Sequence, residues 1–133
     1  MDGHPARGHC RVELPFTGAA PSTARSYLRL FARNLSAATL DEALVMVSEL
    51  VTNALQHGKP EITLQLWLRP DRIAVAVLDR GDASPSLIHP APRGDHPHGR
   101  GLMLVNALAA HWGVRCSEGR AGKTVWFDLA TVD

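Results

Sequence analysis

Glu49, Asn53 and His57 recur every fourth residue in the stretch Val47-Ser48-Glu49-Leu50-Val51-Thr52-Asn53-Ala54-Leu55-Gln56-His57-Gly58. On a helix this spacing stacks them in one stripe about 80° wide. Leu44, Val47, Leu50, Val51, Ala54 and Leu55 cover a broad apolar face, and the stripe is expected opposite it. Taken alone, Glu-x-x-x-Asn is more often a solvated polar face than a site. Two features argue against that here. Asn costs roughly half a kcal/mol against Ala inside a helix. No Lys or Arg occurs from Glu42 to Gly58, although a purely solubilising face normally carries them. The side chains offer complementary chemistry. Asn53 has a neutral amide oxygen, a suitable hard ligand for a magnesium ion shared with phosphates. Glu49, one turn earlier, is placed to accept a proton from an attacking hydroxyl or to orient a water.

Three further motifs follow in the chain. Asp79-Arg80-Gly81 closes an apolar run. A carboxylate at a strand end can accept a hydrogen bond from an adenine amino group, and glycine lets backbone approach a base. Asp-x-Gly is also a common turn. Gly99-Arg100-Gly101-Leu102 opens an apolar helix. Free N–H groups at a helix start favour phosphate, and the glycines clear the approach. Arg100 adds a cation or faces solvent, and taken alone the glycine pair is more often a hinge or cap than a phosphate site. In Gly122-Lys123-Thr124-Val125, Thr124 either reaches the adenine side through its hydroxyl or a water, or is a plain strand former. His96-x-His98 lacks a third ligand at zinc spacing. There is no GxxxxGK[ST] loop, no dinucleotide glycine fingerprint, and no serine in a nucleophile elbow.

These motifs need elements to hold them. The first eight residues read as a frayed tail. His9 to Leu14 is a short strand ended by Pro15. Pro21-Ser22 opens a helix with Ser22 as N-cap and Tyr27, Leu28, Phe31 and Leu35 at helical spacing. A second helix starts near Thr39 or Asp41 and runs to His57, stopped by Gly58. Glu61 to Leu68 alternates as a strand, and Pro70-Asp71 marks a turn. Arg72 to Leu78 is apolar enough for a central strand. From Arg80 to His98 prolines and glycines forbid regular structure, which suggests a lid. Leu102 to His111 is a third helix, and Trp112 to Ser117 and Lys123 to Leu129 are the last strands. This order predicts an α+β two-layer sandwich: a mixed, mostly antiparallel sheet with three helices on one face.

The chain has 133 residues, enough for one domain with one core. A formal charge of +1 and an aromatic content of 5% leave no basic stripe or stacking platform for direct nucleic-acid binding. Cys10 and Cys116 lack zinc or redox spacing and are expected to be reduced core thiols. No apolar run is long enough to cross a bilayer and no signal-peptide pattern opens the chain, so no membrane role and a cytoplasmic location are expected.

The ordered set of motifs resembles the Bergerat-fold ATPases, the superfamily of histidine-kinase catalytic domains, type II topoisomerases, mismatch-repair ATPases and a chaperone class. Val47 to Gly58 resembles its N box. Val77-Leu78-Asp79-Arg80-Gly81 resembles the adenine-reading box. His98-Gly99-Arg100-Gly101-Leu102-Met103-Leu104-Val105 resembles the lid-closing glycine box, and Gly122-Lys123-Thr124-Val125-Trp126-Phe127 the final adenine-side strand. Within the superfamily, the short chain is similar to anti-sigma-factor serine kinases and to single-domain ATP-binding regulators of actinobacteria.

The resemblance implies a domain over residues 9–133 that binds ATP and Mg2+. It implies that Asn53 holds the metal, Asp79 and Gly81 the adenine, and Gly99 and Gly101 the phosphates. Glu49 would be the catalytic base and Thr124 an adenine-side contact. His57 matches an N-box position, and Arg100 and Leu102 belong to the glycine box. The implied activity is serine/threonine phosphorylation of a small antagonist protein, with a sigma factor and that antagonist as partners and a possible homodimer. The alternative is a nucleotide-gated protein-binding regulator with little or no kinase activity. One departure stands out: Ala83 occupies a position that is glycine in many members of the kinase group.

Overall fold

The computed structural model describes residues 8–81, 104–116 and 122–131. Two long helices, a short helical segment at 104–108 and five strands fall within them. Strand β1 (Gly8–Leu14) leads through an exposed loop to helix α1 (Ala20–Phe31). The helix starts earlier than Ser22. Ala19 is its N-cap and makes no side-chain capping bond. Pro21 lies in the first turn, where its fixed φ suits the helix and its missing N–H costs nothing. The Ser22 hydroxyl instead donates to the Ala19 carbonyl at 3.0 Å.

Helix α2 (Ala37–His57) begins two residues before Thr39, because Ser36 caps it: the Ser36 hydroxyl accepts from the Thr39 N–H at 3.2 Å. Gly58 ends it, donating its N–H to the Ala54 carbonyl at 2.8 Å. Strands β2 (Ile62–Leu68) and β3 (Arg72–Asp79) form a hairpin closed by the Arg69 N–H to Arg72 carbonyl bond. Residues 104–108 are helical, and β4 (His111–Cys116) and β5 (Lys123–Ala130) complete the chain.

The sheet order is β1-β2-β3-β5-β4, with β5 inserted between β3 and β4. Every pairing among the described strands is antiparallel. β3 is the central strand, as its apolar run requires. Helix α1 packs over β1 and β2, and α2 over β3 and β5. The core between the layers joins Leu28, Met46, Leu50 and Val51 to Ile62, Leu64, Leu66, Val75, Val77 and Phe127. Strand alternation then assigns each face: Ile73, Val75, Val77 and Asp79 of β3 share the helix-covered side with Lys123, Val125, Phe127 and Leu129 of β5.

Two expectations need correction. Cys10 is half-buried on one edge strand and Cys116 is exposed on the other, so Cys116 is no core thiol. The buried arc of α2 is also rotated from the expected one. It includes Ala43, Met46 and Asn53, whereas Leu55 is only half-buried. The polar stripe therefore runs along the border of the core, not opposite it. None of the described helices is long and apolar enough to cross a membrane.

Candidate functional site

The site is assembled where the C-terminus of α2 meets the end of β3. Asp79 is the last residue of β3 and, by alternation, lies on the helix-covered face. It is 5% exposed. The chain leaves β3 through a tight local turn in which the Gly81 N–H donates to Asp79 Oδ1 at 2.6 Å. The Arg80 N–H donates to the Lys59 carbonyl at 3.0 Å, tying this exit to the segment just beyond α2.

Two glycines make that junction possible. A Cβ at Gly58 would collide with the Asp79 carboxyl group and the Ala54 carbonyl. A Cβ at Gly81 would lie 2.8 Å from Gly58 Cα. The requirement is for space, since Gly58 has a φ of −99° that other residues also adopt.

Electrostatics at this junction call for a cation. Asp79 is a buried acid near the C-terminal, partially negative end of α2. Lys123 supplies the charge from the first position of β5, directly opposite Asp79 in the β3–β5 register. Its Nζ donates to Asp79 Oδ2 at 2.7 Å, and both side chains are 1% exposed. Residue type alone does not mark Lys123 as buried, but strand parity does: Val125, Phe127 and Leu129 are core residues at period 2, which points Lys123 inward with them.

Thr124 is accordingly on the other side of the sheet. It pairs with Leu78 and Arg115 and lines a groove of about 370 Å³ with Trp67, Ala76 and Trp126 on the helix-free face. The structure brings Asp79, Gly81 and Gly58 together and leaves Thr124 apart from them.

Asn53 lies five residues before Gly58, about 7 Å along the helix axis. It is 3% exposed, and its Nδ2 is buried without a hydrogen-bond partner among the described residues. Leaving a buried amide group unpaired costs about 1–3 kcal/mol, and no contact among the described residues offsets that cost. An amide can turn to present either its Nδ2 donor or its Oδ1 acceptor. Glu49, one turn earlier, and His57, at the end of α2, are both half-buried. Next to Glu49, the Ser48 hydroxyl receives Arg25 Nη1 at 2.9 Å and donates to the Leu44 carbonyl, which ties α1 to α2. Among the described residues no cluster of three His, Cys, Asp or Glu side chains could hold a metal ion. Any cation at Asn53 would need a ligand's own oxygens for most of its coordination. The expected glycine box, Gly99, Arg100, Gly101 and Leu102, and the lid expected beyond Gly81 lie outside the described residues.

A two-layer domain with a polar helix edge over a buried acid at the end of the central strand is the class of nucleotide-binding sandwich expected from the sequence. The chain matches the histidine kinase-like ATPase domain over residues 14–129. It belongs to that family. Among solved structures it is similar to the crystal structure of the RsbU and RsbW domains of Rv1364c from Mycobacterium tuberculosis, with a TM-score of 0.67 and 22% identity. That match covers 92% of this chain and 31% of the other, so the chain spans about a third of that structure's length. The likeness establishes the fold. No curated protein sequence matches the chain.

Proposed function

We propose that this protein is an ATP- and magnesium-binding regulator that acts as a serine/threonine protein kinase of the anti-sigma-factor type. Its substrate would be a small antagonist protein, and a sigma factor would be its other partner. The observation that carries the nucleotide site is Asn53, an amide 3% exposed whose Nδ2 has no partner among the described residues. In a histidine kinase-like ATPase domain, that amide is suited to a phosphate-bound magnesium ion, and the Asp79 carboxylate to an adenine amino group. Magnesium, when bound, would offset charge on the phosphates.

The remaining roles belong to the chain's own groups. Glu49, one helical turn from Asn53, would take the proton of the incoming hydroxyl. Gly81 would let the base approach backbone. Gly99 and Gly101 would bring N–H groups to the phosphates, with Arg100 adding charge. Catalysis of this kind is mostly positioning and charge stabilisation.

Titration calorimetry with ATP and magnesium, paired with radiolabelled phosphate transfer to candidate antagonists, tests the reading. Asn53→Ala should lose magnesium-dependent nucleotide affinity. Glu49→Ala should keep binding and lose transfer. Equal nucleotide binding by wild type and Asn53→Ala would sink the site assignment. Saturable ATP binding with no transfer to any antagonist would replace the kinase by a nucleotide-gated binding module.

A further inference from the structure

The roles assigned above leave Lys123 without one. Its ammonium is 1% exposed, has three donors, and makes one described side-chain hydrogen bond, to Asp79 Oδ2. The Asp79 carboxylate has about four lone-pair sites. Its described partners, the Gly81 N–H on Oδ1 and Lys123 Nζ on Oδ2, take one on each oxygen. The pair thus holds spare acceptor capacity and spare donors side by side, with Nζ and Oδ2 2.7 Å apart.

A purine carrying a 6-amino group offers the converse pattern. Its amino group donates, and the adjacent ring nitrogen accepts. One carboxylate oxygen beside one ammonium matches that edge in a single plane of contact. A carboxylate alone would satisfy only the amino group.

We infer that Lys123 is a specificity-determining residue of the nucleotide pocket, donating from Nζ to a ring nitrogen next to the 6-amino group of adenine while Asp79 accepts from that amino group. The inference rests on the reading of Asp79 as the adenine contact. Lys123 does two things there: it neutralises the buried acid, and it recognises the atom beside the one the acid recognises. Thr124, on the other face of β5, is excluded from this role by the strand register.

The test uses nucleotide analogues and begins with the wild-type chain, so it does not depend on a variant folding. Dissociation constants are measured for ATP, 1-deaza-ATP and 7-deaza-ATP, each with magnesium. A charged donor makes a hydrogen bond worth about tenfold or more in affinity. One of the two deaza analogues should therefore bind at least tenfold more weakly than ATP, and which one identifies the edge read. In Lys123→Met, checked for folding by its melting transition, that difference should disappear, with ATP falling to the level of the analogue. Equal binding of ATP and both analogues by wild type overturns the assignment to Lys123 alone. A loss in Lys123→Met that is the same for ATP and the deaza analogue also overturns it, and makes the lysine a purely structural counter-ion. Tighter ATP binding by Lys123→Met overturns it as well, because the lysine would then compete with the base. If wild type binds no ATP, the reading of Asp79 fails first and this inference with it.

Discussion

The backbone of Gly58 packs directly on the carboxyl group of Asp79, so the end of α2 and the end of β3 meet through the Asp79 side chain, with no room for a second one. The contact joins the helix carrying Glu49 and Asn53 to the strand carrying the buried acid. Gly58→Ala should destabilise the fold by about 1–3 kcal/mol, the usual cost of overpacking, and should displace Asp79. Gly18→Ala is the control: nothing lies within 4 Å of a Cβ there, and its effect should stay within about 0.5 kcal/mol. Urea unfolding of both variants checks the difference.

The Asp79–Lys123 pair is buried on both sides. Lys123→Met leaves a carboxylate in the core without its cation, and should cost about 3–5 kcal/mol. The double variant Asp79→Asn, Lys123→Met should cost much less than the two single changes added together, because no buried charge remains. A double-mutant cycle from urea midpoints measures the coupling. Additive costs would mean that the two groups do not depend on one another in the fold.

Asn53 should behave in the opposite way. Its buried Nδ2 has no described partner to lose. Asn53→Leu, which keeps the number of side-chain heavy atoms and the branching at Cγ, should leave the stability of the nucleotide-free protein unchanged or raise it by about 1 kcal/mol. Nucleotide binding with magnesium should be abolished. Melting curves with and without ATP and magnesium separate the effects: a wild-type shift on adding nucleotide, and none in the variant. Marked destabilisation without nucleotide would make Asn53 a structural residue.

Helix capping gives a prediction remote from the site. The Ser36 hydroxyl accepts from the Thr39 N–H at the start of α2, so Ser36→Ala should cost about 1 kcal/mol. Ser22 lies inside the first turn of α1 and only back-bonds to Ala19. Ser22→Ala should change stability by no more than about 0.5 kcal/mol. Thermal unfolding of the two variants decides which serine caps a helix.

Much of the fold was legible because the periodicities are strong. Ile62, Leu64 and Leu66 alternate, and Val75 and Val77 repeat the pattern on the neighbouring strand, so β2 and β3 could be placed within a residue or so. The stop at Gly58 was legible as helix C-terminus chemistry. The start of α1 was not. Ser22 has the right type for a cap, but Pro21 suits the interior of the first turn and the helix extends ahead of it. Thr124 illustrates a different limit. Its residue type suits an adenine contact, but in a strand the parity of a position decides which face it is on, and Thr124 is on the helix-free face. Val125, Phe127 and Leu129 take the core-facing parity and carry Lys123 with them.

The sequence by itself determined the order of elements, the family, and the direction of every strand residue whose neighbours alternate. It did so because periods of 2 and 3.6 are local properties of the chain. The tertiary structure alone decided that Asn53 is buried. A residue at the edge of a helix's apolar arc is inside or outside according to how the helix is rotated on the sheet. That rotation is set by packing α2 over β3 and β5, contacts between residues far apart in the chain. The same packing set Gly58 against Asp79 and enclosed the acid with Lys123. The pairing depends on β5 lying beside β3, a strand order that no local pattern specifies.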